Sequence, residues 1–171
     1  MRHFTRGERL DIQGLADELG VSRATAYRWA GGNLDSLTSK VVARLVEATW
    51  ERVLREVRGK KGWERVLAIE ERGMRYIAGF EPYREFMARD GHRALRIVAS
   101  KDGLAHPTQV RLHQQLLEAE ARAGHLRLPV DAHTLAYAMV RLAESFLYSD
   151  LIAGEEPDVD RAMQVMRLLC Q

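Results

Sequence analysis

The stretch "LADELGVSRATAYRW", residues 15–29, contains the pattern that decides how this chain folds. It predicts two short helices that meet at Gly20, because glycine adopts the positive φ that a sharp turn between helices needs. Ser22 follows the turn and can cap the second helix. Two helices joined by a turn of three residues form a helix-turn-helix, whose second helix enters the major groove of DNA.

The second helix of this pair carries side chains that suit contact with DNA. Arg23 and Arg28 are its only formal charges, and arginine binds guanine or phosphate through paired hydrogen bonds. Small and hydroxyl side chains can contact base edges, while aromatic side chains with polar tips can reach the backbone of DNA. From the pattern alone, the alternative is an ordinary bundle of short helices with surface arginines. The residues expected to face DNA are Ser22, Arg23, Ala24, Thr25, Tyr27, Arg28 and Trp29.

The remainder of the chain has the same helical character. Apolar residues recur at steps of three and four, and no sustained alternation of β-branched residues indicates a strand. We therefore predict an all-α protein: an N-terminal helix-turn-helix DNA-binding head, with a short or truncated first helix, on a larger helical domain. Residues 1–45 would form the DNA-binding domain, and residues 46–171 would form the effector-binding and dimerisation domain. Helices are predicted over residues 11–19, 22–30, 33–58, 63–80, 82–90, 92–100, 107–122, 131–152 and 158–171.

The composition is that of a globular protein. Apolar residues make up 46% of the chain and charged residues 29%, and the net charge of +2 is too small to imply a nucleic-acid partner by itself. Cys170 is the single cysteine, which excludes a disulfide within one chain and favours a reducing compartment. Neither an apolar signal segment nor a membrane-spanning stretch is present. We expect a cytoplasmic protein with no membrane partner.

The last two predicted helices have more apolar surface than one helix needs against its own core. Wide apolar faces on two neighbouring helices favour a two-fold homodimer built through these helices. The alternative is a monomer that buries both helices centrally. The residues expected in the dimer interface are Leu135, Met139, Leu142, Leu147, Met163 and Met166.

The middle helices concentrate aromatic and thioether side chains that could surround a small molecule. Apolar walls with a few polar groups suit a small hydrophobic effector. For each residue the alternative is plain packing in the core or in a dimer. The candidate effector-binding residues are Phe80, Tyr83, Phe86, Met87, His113, Tyr137, Arg141, Phe146 and Tyr148.

The sequence gives no support for a metal site, a cofactor or catalysis. His92, His106 and His113 lie in one region, but their spacing is not that of a metal-binding motif and the cysteine is remote. No nucleophile elbow, phosphate-binding loop or dinucleotide-binding glycine motif occurs. We predict neither a metal nor a cofactor, and no enzyme activity.

Two stretches resemble known regulators. "DIQGLADELGVSRATAYRWAGGNLDSL", residues 11–37, resembles the DNA-binding domain of TetR-family transcriptional regulators. "LAYAMVRLAESFLYSDLIAGEEPDVDRAMQVM", residues 135–166, resembles the C-terminal domain of the QsdR-like (quorum-sensing-degradation regulator) branch of that family. The resemblance implies a homodimer, formed through the last two helices, that binds palindromic operator DNA and releases it when a small molecule enters the C-terminal domain.

The chain departs from the family pattern at several positions in the head. Few residues precede Asp11, so the first helix of the family would be truncated or its gene start placed late. Ala26 and Ala30 replace larger residues. Asn33 replaces the basic residue that contacts phosphate in relatives, which leaves Lys40 as the nearest cation for that role.

We therefore predict a DNA-binding transcriptional regulator, a ligand-responsive repressor that binds a palindromic operator as a homodimer. The dimer would contain two helix-turn-helix units. If their second helices are separated by about 34 Å, or by a small multiple of that distance, both would contact one face of the duplex. The alternative is a dimeric protein that binds small molecules or another partner, with a degenerate helix-turn-helix that no longer binds DNA. The departures in the head are the evidence for that alternative.

Overall fold

The structure is a computed structural model that describes residues 1–170. These residues form ten helices and no strand, which confirms the predicted all-α class. Within the same residues, no helix is long and apolar enough to cross a membrane. The helices are α1 (Arg2–Thr5), α2 (Ile12–Leu19), α3 (Arg23–Ala30), α4 (Leu34–Glu56), α5 (Gly62–Ala78), α6 (Glu81–Ala99), α7 (Ala105–Arg122), α8 (Ala132–Leu147), α9 (Ser149–Ile152) and α10 (Val159–Leu169).

Helices α2 and α3 form the expected helix-turn-helix. The Asp11 side chain caps α2 by accepting hydrogen bonds from two backbone N–H groups, and the Ser22 hydroxyl accepts one from the backbone of Thr25 in α3. Gly20 ends α2 with φ at 64°, a conformation that a residue with a Cβ adopts only with strain. Small side chains let the two helices approach closely around a core of their own, formed by Ile12, Ala16, Ala26 and Ala30.

Helix α4 joins this unit to the rest of the chain. The Asn33 side chain caps it, its first turns contact α3, and it continues for 23 residues against α5, α6 and α7. The predicted boundary between residues 45 and 46 lies inside this helix. We call residues 1–45 the head and residues 46–170 the body. Because α4 is continuous, a shift of its body end also moves its head end.

The body packs around one apolar core. Helix α8 lies against α5, α7 and α10, and α4 covers the opposite side of α7. Phe4 and Leu10, which precede the helix-turn-helix, are buried in this core rather than among the residues of the helix-turn-helix. Helix α1 therefore packs on α6 and ties the start of the head to the body.

Helices α6, α7 and α8 each depart from the predicted limits. Helix α6 is continuous except for a kink at Gly91, where φ is 46° and ψ is −118°. Helix α7 begins at Ala105, two residues before Pro107, because the first N–H groups of a helix need no partner and proline fits among them. The predicted helix 131–152 is divided at Tyr148, whose side chain is buried in the core.

Candidate DNA-binding surface and effector cavity

The outward side of α3 is the candidate DNA-binding surface. Ala26 and Ala30 point inward and are buried, so the opposite side of the helix remains available to a partner. The N-terminus of α3 also leaves backbone N–H groups and the positive end of the helix dipole at the surface, which favours phosphate. Thr25 is partly covered beside the cap, and Tyr27 is partly buried against the core of the helix-turn-helix. The predicted residues that are exposed on the open side of α3 are Ser22, Arg23, Ala24, Arg28 and Trp29.

The two arginines of α3 are in different situations. The Arg23 guanidinium lies 5.2 Å from the centre of the Tyr27 ring and donates a hydrogen bond of 3.4 Å to its hydroxyl. This contact holds Arg23 along the helix. Arg28 is exposed and makes no ion pair or side-chain hydrogen bond within residues 1–170. Arg28 is therefore the cation of α3 that can turn to a base or a phosphate without breaking a contact.

Lys40 lies close to the end of α3. Its Nζ donates a hydrogen bond of 3.0 Å to the backbone oxygen of Trp29, near the negative end of the helix. Gly31 adopts a φ of 88° at this junction, and a Cβ there would come within 3.1 Å of the Lys40 ammonium. The indole of Trp29 is 57% exposed. The fold thus places the Lys40 cation and the Trp29 indole at the same end of the candidate surface.

A cavity of about 510 Å³ lies between α4, α5, α6, α7 and α8 and forms the candidate effector site. Four of the predicted effector residues line it: Phe80, Tyr83, His113 and Tyr148. None of the predicted effector residues lies on α4, whose part of the wall includes Val42, Leu45, Val46 and Trp50. The wide apolar face of α4 was the available signal, but its pattern did not distinguish a cavity wall from core packing. Thr5 of α1 also lines the cavity, so its wall includes two helices of the head.

The other predicted effector residues lie elsewhere. Phe86 and Met87 are buried in the core and do not line the cavity. Tyr137 is 46% exposed, and Phe146 lies on the outer side of α8. Arg141 donates hydrogen bonds to Glu144 and to the Ala99 backbone oxygen, and Glu144 also pairs with His106. None of the five lines the cavity, and the Arg141 network links α6, α7 and α8 instead.

Two buried polar pairs project into the cavity. The hydroxyl oxygens of Tyr83 and Tyr148 lie 2.8 Å apart, and burial raises the pKa of both phenols, so both stay protonated. His113 donates from Nδ1 to the backbone oxygen of Gln109, and its Nε2 lies 2.5 Å from a Glu70 carboxylate oxygen. Burial alone would lower the pKa of His113, but the charge of Glu70 and these hydrogen bonds raise it above its ordinary value.

No metal centre is apparent in the residues that the structure describes. His92, His106 and His113 do not converge, and no group of three His, Cys, Asp or Glu side chains among residues 1–170 lies close enough to hold an ion. Two of these histidines are instead paired with Glu144 and Glu70 on different helices.

Comparison with known proteins identifies the family. The sequence of residues 61–171, most of the chain, matches the protein family described as the tetracyclin repressor-like C-terminal domain. The chain belongs to the TetR family. It is also similar to the solved structure of the transcriptional repressor QsdR of R. erythropolis, a TetR-family protein, with a TM-score of 0.89 and 27% sequence identity over 99% of this chain and 88% of the other. Comparison with curated proteins found no match.

Membership of the TetR family gives the general role of the chain. TetR-family proteins are transcriptional regulators with a helix-turn-helix head, and they are not enzymes. The match covers nearly the whole chain, so it includes the head as well as the body.

In this TetR-family chain, most of the residues predicted for a dimer interface are inside the chain's own core. They are buried in the core of the single chain, among α5, α7, α8 and α10, and Leu147 also lines the cavity. Four apolar residues of α8 and α10 that are exposed or partly exposed form what we call the outer patch: Leu142, Phe146, Val165 and Leu168. The predicted interface residues buried in the core are Leu135, Met139, Leu147, Met163 and Met166.

Proposed function

We propose that this TetR-family regulator is a ligand-responsive repressor that binds palindromic operator DNA as a homodimer. Two domains would divide the work: residues 1–45 would bind DNA, and residues 46–171 would bind the effector and form the dimer. The observation that carries the proposal is the exposed surface of α3, which presents Arg23 at the helix N-terminus and the unpaired Arg28 in the last turn. The similarity to QsdR, itself a transcriptional repressor, supports the same sign of regulation.

A homodimer is the assembly that the outer patch favours. Leu168 is 67% exposed and Val165 37% exposed on α10, and Leu142 and Phe146 are partly exposed on α8, which contacts α10. Apolar side chains grouped on two adjacent helices are typical of an interface between copies. A two-fold contact through these helices would produce two α3 helices related by the same axis, as a palindromic operator requires.

The walls of the cavity suggest how an effector would change DNA binding. Val42 and Leu45 of α4 and Thr5 of α1 belong to the head, yet they line the cavity together with residues of the body. A ligand that fits the cavity better when α4 and α1 are displaced would favour that arrangement of the heads. Its effect on DNA affinity would equal its differential affinity for the two arrangements.

Selection of random duplex DNA with the purified full chain tests the proposal. We expect enrichment of a palindrome, whose half-site spacing reports the separation of the two α3 helices. Affinity for the selected site should fall steeply with salt, because phosphate contacts release counterions. Enrichment of a single, unrepeated half-site would contradict the dimer. The absence of any enriched sequence would instead favour the alternative, a dimeric protein that binds a small molecule or another partner and has lost DNA binding.

A further inference from the structure

The chemical class of the effector can be inferred from the cavity, and this inference rests on the proposed function. The wall of the cavity contains charged side chains and buried hydroxyl groups. The charged side chains limit the net charge of a ligand, and the hydroxyl groups limit its hydrogen-bonding groups. Its size is within the usual range for sites that bind drug-sized molecules. Most of its wall is apolar, with valine, leucine and aromatic side chains from α4 and α5.

Each formal charge in the wall already has a partner of opposite sign. Glu70 is paired with His113 deep in the cavity. Near the exposed side, Arg52 binds Glu56 at 3.0 Å and also lies over the Tyr76 ring. An ionised group placed deep in the cavity would therefore meet no free counterion and would lose hydration without compensation.

The last charge in the wall is also neutralised. Arg75 binds Glu71 at 3.0 Å and pairs with Asp160 of α10 as well. Two carboxylates thus surround one guanidinium, which makes this side of the cavity unattractive to a carboxylate and leaves it no surplus positive charge. A cationic ligand is disfavoured deeper in the cavity, where burial would remove its hydration and the Glu70 carboxylate is already paired with His113.

The tyrosine pair offers the cavity one hydrogen-bond donor. Tyr83 and Tyr148 each have one hydroxyl proton, but the two hydroxyls share a single hydrogen bond. Whichever phenol donates in that bond, the proton of the other has no acceptor among residues 1–170. A buried donor without an acceptor is costly, so a ligand with an acceptor at this point gains a hydrogen bond that the empty protein does not make.

We propose that the effector is an uncharged, largely apolar molecule whose carbonyl or ether oxygen accepts a hydrogen bond from the Tyr83–Tyr148 pair. The carboxylate and the amine of the same skeleton should bind more weakly, because the apolar wall would remove their hydration and the buried charge of Glu70 is already paired with His113.

Binding of three probes with one alkyl chain tests this proposal: methyl octanoate, octanoate and octylammonium. Titration calorimetry with the full chain near neutral pH should detect methyl octanoate at least about tenfold more tightly than either ion. The double substitution Tyr83→Phe and Tyr148→Phe removes both phenols together and leaves no orphaned hydroxyl, so the fold should be retained. The double variant should bind methyl octanoate about three- to tenfold more weakly, and its affinity for the two ions should be unchanged.

Tyr137→Phe is the matched control, because Tyr137 loses the same hydroxyl outside the cavity. It should leave the affinity for methyl octanoate unchanged. Tighter binding of octanoate or octylammonium, failure of all three probes to bind, or an unchanged ester affinity in the double variant would each overturn the inference. Selection of DNA requires no effector, so failure of the probes and failure of the proposed function remain distinguishable.

Discussion

The ring of Phe4 packs edge-on against the ring of Phe86, with 5.4 Å between the centroids and 61° between the planes. Phe86 in turn lies 6.3 Å from Tyr83, whose ring contacts Tyr148 in the cavity wall. A continuous series of aromatic contacts thus leads from the cavity to α1 in the head. Because α1 has no other large buried side chain, Phe4 is the main anchor that fixes it to the body.

Replacement of Phe4 should reduce the effect that a structural change in the body has on the head. Phe4→Ala removes most of the apolar surface that α1 buries and should lower the free energy of unfolding by about 3 kcal/mol. It should also weaken the effect of a bound ligand on DNA affinity, since α1 no longer follows α6. Denaturant unfolding and operator binding with and without ligand measure the two effects. Phe4→Leu keeps an apolar side chain and should lose less of both, whereas equal behaviour of the two variants would contradict the role of the ring.

Arg28 should be the residue of α3 whose loss weakens DNA binding most clearly. Arg28→Ala removes an exposed, unpaired guanidinium and should reduce affinity for the selected operator by about tenfold or more. If Arg28 contacts phosphate, the slope of log affinity against log salt should also fall by about one for each head. Affinity at several salt concentrations measures both.

Arg127→Ala is the control for this change. Arg127 is exposed in the body and makes no ion pair within residues 1–170, so its loss alters the net charge by the same amount. Its operator affinity should remain near that of the unchanged chain. An equal loss in the two variants would mean that general charge, rather than a contact from α3, explains the effect.

The helix-turn-helix could be predicted from local signals alone. Asp11, Ser22 and Asn33 each cap a helix, and Gly20 has the positive φ that the turn requires. Each of these features depends on a few neighbouring residues, so the local sequence is sufficient to predict it. The kink at Gly91 was predicted as a break for the same reason.

The cavity and the outer patch depend on which side of a helix meets which neighbour, and periodicity does not determine that. Apolar residues occupy most of the circumference of α8. The sequence pattern therefore places Met139 and Leu142 in the same predicted interface. Met139 is buried in the chain's own core, whereas Leu142 remains partly exposed. Tyr137 and Tyr148 likewise share one sequence pattern. Tyr148 follows the end of α8 at Leu147, and its side chain is buried in the core.

Leu168 should be essential to the proposed dimer. Leu168→Glu places a charge on each side of a two-fold contact and should weaken dimerisation at least about hundredfold, without unfolding the chain. Sedimentation analysis over a range of concentrations measures the association, and circular dichroism checks the fold. Leu104→Glu is the control, because Leu104 is 44% exposed outside the outer patch. If Leu168→Glu remained as dimeric as this control, the outer patch would not be the interface.

The contribution of His113 to stability should depend on pH. Its pKa is raised in the folded chain above the ordinary value of 6.5, because the charge of Glu70 and two hydrogen bonds outweigh the effect of burial. A raised pKa means that folding favours the protonated imidazole. The stabilisation is therefore complete below pH 6.5 and is lost as the pH rises through the raised pKa.

Comparison with His113→Gln isolates this contribution, because the other titrating groups are present in both chains. The difference in free energy of unfolding between the two should be largest below pH 6.5 and should shrink steadily as the pH is raised beyond it. Urea denaturation at a series of pH values gives the difference. Glu70→Gln removes the carboxylate that raises the pKa, so the pH dependence above 6.5 should also largely disappear in that variant. A difference that stayed constant, or that grew with pH, would show that the Glu70 carboxylate does not hold His113 as an imidazolium in the folded chain.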